Sequence, residues 1–72
     1  MANSITIDYE YDDDGNEIDE SYVVALTGLP ADEFGISEDY FTSDIDAHEF
    51  AKEVSLETDT KITWLCMRPG WA

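Results

Sequence analysis

Residues 8 to 20 read DYEYDDDGNEIDE, and nine of those thirteen side chains end in a carboxylate or amide oxygen. Oxygen-rich loops bind calcium, so an EF-hand is the first chemistry to test. Aligned on Gly15, such a loop needs acids at the leading odd positions, a branched apolar residue two after the glycine, and a bidentate Glu six after it. Glu10, Asp12 and Asp14 suit the first three ligands, but Glu17 stands at the apolar position and Ser21 at the bidentate one. The match fails where it is most demanding, and the flanking residues alternate like strands. Only diffuse attraction of cations to Asp12, Asp13 and Asp14 survives.

Other chemistries are thinner still. His48 and Cys66 are the single histidine and cysteine, with no spacing partner to complete a transition-metal set, so no cofactor or metal is expected. His48 is expected at the surface and Cys66 as packing. A catalytic Cys66 would need a depressed pKa, and surrounding negative charge raises it instead. Paired carboxylates can do acid and base work only where a water-excluding pocket splits their pKa values. A chain of 72 residues builds one small core and little cleft. A non-enzymatic protein is expected.

The charge is the dominant feature. Eighteen Asp and Glu face three Lys and Arg, for a net charge of -15. That excess cannot be neutralised internally, and its field reaches roughly 8 to 10 Å at physiological salt. It disfavours direct binding to nucleic acid or an anionic membrane and favours a basic partner. A hydrophobic share of 43% with two Trp, four Tyr and three Phe is too high for a disordered acidic tail. With no leader, no long apolar run and one cysteine, the expectation is a cytoplasmic protein.

The elements that position these acids follow from periodicity. Ser4 to Asp12 alternates, with Ile5, Ile7, Tyr9 and Tyr11 on one side and acids on the other. Asp13, Asp14, Gly15 and Asn16 signal a hairpin, and Glu17 to Thr27 is the return strand. A two-residue turn at Asp14 and Gly15 pairs Tyr11 with Ile18, Glu10 with Asp19, Asp12 with Glu17 and Ile7 with Tyr22, bringing both apolar parities together. Glu20 misfits that pattern. Leu29 to Gly35 suits one helical turn, with Pro early and Gly just past its end, and Ser37 to Thr42 reads as loop or short edge strand. Ser43 to Leu56 is a helix capped by Ser43, with Ala47, Phe50, Ala51 and Val54 inward. Glu53, Glu57 and Asp59 crowd its C-terminus, where cations are preferred. Lys61 to Met67 is a last strand, and residues 68–72 are a loose tail or a return of Trp71 onto the core.

The expected fold is therefore α+β: one domain over 1–72, ββαβ, a mostly antiparallel sheet of order 2-1-3 with the helix on one face. Its core would be Ile5, Ile7, Tyr9, Ile18, Tyr22, Val24, Leu26, Phe50, Ala51, Val54, Ile62 and Trp64. In this register Asp8, Glu10, Asp12, Glu17 and Asp19 form two adjacent rows on one face. Same-side neighbours on a strand lie about 6.6 Å apart, so two rows approximate the one phosphate per roughly 3.4 Å of a DNA strand. Glu49 and Glu53, with Asp46 and Glu57, add a second stripe on the helix. Val23, Ala25, Leu65 and Met67 would supply a small apolar patch beside the acids, suited to a partner or to a homodimer.

In size, charge and the acidic hairpin DYEYDDDGNEIDE, the chain resembles the small phage-encoded inhibitors that mimic nucleic acid, including some anti-CRISPR and anti-restriction proteins. The resemblance is one of class, without a shared motif. It implies occupation of a basic groove in a nucleic-acid enzyme or surveillance complex, so that DNA or RNA cannot enter. Two other expectations stand beside it: an interaction or dimerisation module using the apolar patch, and a salt-adapted domain whose acidity serves solubility.

Overall fold

A computed structural model describes residues 2–72. The described chain forms a small α+β fold with a four-stranded mixed sheet and two helices. Strands β1 (Ser4–Tyr11) and β2 (Glu17–Thr27) form the hairpin, helix α1 (Leu29–Phe34) follows, and β3 (Glu38–Phe41) returns along β2. Helix α2 (Asp44–Thr58) then crosses the sheet, and β4 (Ile62–Trp64) lies parallel to β1. The order is β3-β2-β1-β4. The expected 2-1-3 arrangement needs correction: of the two readings open for Ser37 to Thr42, the edge strand is the one formed, and Glu38–Phe41 pairs antiparallel with β2 as an added edge.

Alternation explains which residues go inside. Ile5 and Ile7 of β1 face the helix layer with Val24 and Leu26 of β2 and Ala47, Ala51 and Val54 of α2, and all seven are buried. Burying side chains of this size stabilises by about 1.5 to 3 kcal/mol each for Val, Leu and Ile. The two alanines allow α2 to approach the sheet closely. Phe50 extends the core sideways, edge-on to Phe34 of α1 at 6.0 Å and tilted against Phe41 of β3 at 5.4 Å. Those contacts tie α1 and β3 to α2.

Helix ends follow local chemistry. The Ser43 hydroxyl accepts the Ile45 N–H at 3.2 Å, satisfying one free donor of the first turn. At the other end α2 runs two residues past the expected Leu56 and stops at Asp59, which has φ 51°. The Asp59 and Thr60 N–H groups both donate to the Ser55 carbonyl, a left-handed cap of the kind usually given to Gly. Thr58 Oγ1 donates to the Val54 carbonyl at 2.7 Å and lies 3.1 Å from the Thr60 hydroxyl. Helix α1 takes its cap from a distance: the Leu29 N–H donates to Asn3 Oδ1 at 2.9 Å.

The last strand is shorter than expected. Only Ile62, Thr63 and Trp64 register with β1, and a single further bond from the Leu65 N–H to the Ile7 carbonyl, 2.8 Å, extends the contact. Beyond it the chain turns so that Trp71 comes back to α2. The Trp71 ring lies 5.1 Å from His48 and 6.3 Å from Trp64, and His48 stacks on Trp64 at 5.7 Å. His48 is thus half-buried in an aromatic group, not simply a surface residue.

Candidate functional site

The hairpin carries most of the candidate acids, and its register differs from expectation. Observed pairs are Ile5 with Leu26, Ile7 with Val24, Asp8 with Val23 and Tyr9 with Tyr22, two residues along β2 from the expected alignment. An even shift keeps both apolar parities on the core side. The core therefore permits it. At the tip, Tyr11 pairs with Glu17 across a three-residue loop, closed by the Asp12 N–H donating to the Asn16 carbonyl at 2.9 Å. Gly15 sits at φ 85°, as this loop class requires. The body register, carried on to the tip, would need an even-numbered loop, and the loop here is odd, so the ladder breaks between Tyr9 and Tyr11. Glu20, the misfit, takes φ 56° there.

Two expectations fall with this register. Glu10 with Asp19 and Asp12 with Glu17 are not cross-strand pairs, so the five acids do not form a two-row lattice. Ile18 is not core: every residue from Tyr11 to Glu20 is exposed, Ile18 included. The tip has no buried side to hold its alignment. It stands instead as a charged arm beyond the core.

Each acid therefore has its own setting. Asp8 lies in the ordered body opposite Val23; its Oδ1 accepts the Tyr9 N–H at 2.7 Å and the Tyr11 hydroxyl at 3.4 Å. Glu10 accepts a hydrogen bond from the Ser21 hydroxyl. Asp12 is occupied by its own turn, its Oδ1 accepting the N–H groups of Asp14 at 3.0 Å and Asn16 at 2.9 Å; Asp and Asn side chains commonly brace turns this way. Glu17 and Asp19 are exposed on the arm. Glu49 and Glu53 are exposed on α2, which covers the core side of the sheet and so lies away from Asp8.

The outward face of the sheet gathers residues that sequence reasoning had separated. Tyr40 of β3 pairs with Val23, Val23 with Asp8, and Leu65 follows Trp64, the partner of Ile7, so that it falls beside Asp8. One register position away, Glu38, Ala25, Thr6 and Thr63 form a second row. Val23 and Leu65, expected as partner-binding residues, thus flank Asp8 directly. Glu38 and Tyr40 lie outside the expected site because EDYF by itself reads as either loop or strand; its alternation of acid and aromatic is the signal that points to them. The Tyr40 hydroxyl donates to Glu38 Oε1 at 3.0 Å, and that bond is the first reason the phenol is pushed above its ordinary 10.0.

The remaining chemistry is sparse. Partial burial, with the carboxylates of Asp8, Asp44 and Glu17 adding to it, pushes the Cys66 thiol above its ordinary 9.0, against a smaller lowering by a backbone hydrogen bond. Among the described residues no pocket opens, and no three His, Cys, Asp or Glu side chains gather to hold a metal ion. No helix among them is long and apolar enough to cross a membrane. Comparison with protein-family models, curated proteins and solved structures finds no match to this chain.

Proposed function

We propose that this chain is a non-catalytic inhibitor, of the anti-CRISPR or anti-restriction type, whose carboxylates take the place of nucleic-acid phosphates in a basic groove. The observation that carries this reading is linear charge density. Fifteen net negative charges on a body whose longest extent is 31 Å amount to one per about 2 Å, against one per roughly 1.7 Å along duplex DNA. Here the mimicry belongs to the whole body, with the arm from Tyr11 to Glu20 as its most exposed part. Asp8, Glu10, Glu17 and Asp19 are the residues on the hairpin side, and Glu49 and Glu53 those on the helix side. Asp12 contributes charge, but its geometry serves the turn.

The test is competition. Basic nucleic-acid enzymes and RNA-guided surveillance complexes are assayed for binding a labelled duplex as this protein is added. Loss of the duplex at near-stoichiometric protein, weakening as salt rises, is the expected result with at least one of them. A panel unaffected even at low salt overturns the proposal. Neutralising Glu10, Glu17 and Asp19 to Gln or Asn should weaken the inhibition while the fold persists.

A second reading, an interaction module working through apolar contact, is favoured by Val23 and Leu65 flanking Asp8 on the uncovered side of the sheet. Salt-insensitive binding lost on Leu65→Asp would distinguish it.

A further inference from the structure

Both helices pack on the face lined by Ile5, Ile7, Val24 and Leu26, and among the described residues no element covers the opposite face of the sheet. That face is neither purely charged nor purely apolar. Asp8 stands between Val23 and Leu65, with Tyr40 beyond Val23, Ala25 and Glu38 one row away, and Glu10 two residues along β1.

Its carboxylates share one arrangement. Asp8 is engaged through Oδ1 by the Tyr9 N–H and Tyr11 hydroxyl, Glu10 through Oε1 by the Ser21 hydroxyl, and Glu38 through Oε1 by the Tyr40 hydroxyl. Among the described residues the second oxygen of each accepts no hydrogen bond. One oxygen orients the group, and the other is free for an outside donor. Such orientation lowers the entropy cost of binding.

We propose that this bare sheet face seats a basic amphipathic helix of a partner protein, with arginines on Asp8, Glu10 and Glu38 and aliphatic side chains on Val23, Ala25 and Leu65. The inference rests on the basic-partner reading above and names where that partner docks. Spacing supports it: helix residues i and i+4 rise about 6 Å, close to the roughly 6.6 Å between same-side residues such as Asp8 and Glu10 on a strand.

Charge decides against a second copy as the occupant. Each chain carries -15, and face-to-face packing would set Asp8, Glu10 and Glu38 against one another in an increasingly dry contact. Arginine is the suited donor because its planar fork matches a carboxylate and its face stacks on an aromatic ring such as Tyr40.

The test uses two probes, decaarginine and a 20-residue helical peptide with Arg and Leu at i, i+4 spacing on one face, titrated into isotopically labelled protein and followed by amide shifts. The expected result is localised movement at Thr6, Asp8, Val23, Ala25, Tyr40 and Leu65 with the amphipathic peptide. Leu65→Asp should weaken its affinity at least tenfold, whereas Leu56→Asp, on the exposed side of α2, should leave it unchanged. Decaarginine should bind diffusely and be lost on adding salt. If both peptides bind diffusely, the docking face is overturned while the basic-partner reading stands; if neither binds at low salt, both fall. Concentration-dependent shifts of the same amides without peptide would identify a second copy and overturn the proposal.

Discussion

Asp59 combines two unfavourable features at one position, and they separate by substitution. Its backbone lies at φ 51°, ψ 43°, where an L side chain costs about 1 to 2 kcal/mol relative to the right-handed region. Its carboxylate also stands at the negative end of the α2 dipole, a placement worth roughly 0.3 to 1 kcal/mol. Asp59→Gly relieves both, less about 0.5 to 1 kcal/mol for the greater freedom of glycine in the unfolded chain. The net gain is therefore about 1 kcal/mol. Asp59→Asn removes only the charge and should gain roughly 0.5 kcal/mol, while Asp59→Ala loses the charge but tolerates the left-handed backbone less well, for a net near zero. For a domain of this size 1 kcal/mol moves Tm by about 4 to 8 °C, so thermal denaturation by circular dichroism resolves the series. Raising NaCl to 0.5 M should shrink the difference between Asp and Asn without changing that between Asn and Gly. Asn equal to Gly, or Gly less stable than Asp, would refute the backbone cost.

Three further outcomes test the fold and its electrostatics. Gly28→Ala should cost more than about 2 kcal/mol, against ~1 kcal/mol for Gly15→Ala, in urea unfolding: both have positive φ, but a Cβ at Gly28 runs into Asn3 Oδ1 and comes within 2.9 Å of the Ala2 carbonyl oxygen, whereas at Gly15 it meets open space. Stability should fall at alkaline pH. The Cys66 and Tyr22 pKa values are raised in the fold, so the native state holds protons that the unfolded chain has released; the stability they contribute is complete below about 9 and lost as pH climbs through the folded values. Cys66→Ser should remove the earlier part of that decline in a series of melts from pH 7 to 11. Finally, Tm should rise between 0.01 and 0.3 M NaCl, because screening relieves the self-repulsion of a -15 body, and a flat or falling Tm would show that repulsion does not limit stability.

Local physics in the sequence determined the elements. Alternation in β1, the Asp-Gly turn, Pro30 and Gly35 around α1, and Ser43 before the apolar stripe of α2 each act within a few residues, and the corresponding elements form close to where those signals lie. The charge and its excess over any internal pairing were equally plain. Register was not, since two alignments differing by two residues bury the same parity and only packing across the whole sheet chooses between them. That choice sets Tyr9 against Tyr22 at 5.7 Å, leaves Ile18 in solvent, and moves the irregularity to Glu20. The uncovered face likewise needed the tertiary structure: Tyr40, Val23 and Asp8 come from three strands and Leu65 follows the end of a fourth, and their adjacency depends on β3 and β4 joining opposite edges of the hairpin. In DYEYDDDGNEIDE the sequence specified where negative charge accumulates. Long-range packing decided which carboxylates brace a turn, which extend on the arm, and which stand oriented among aliphatic neighbours.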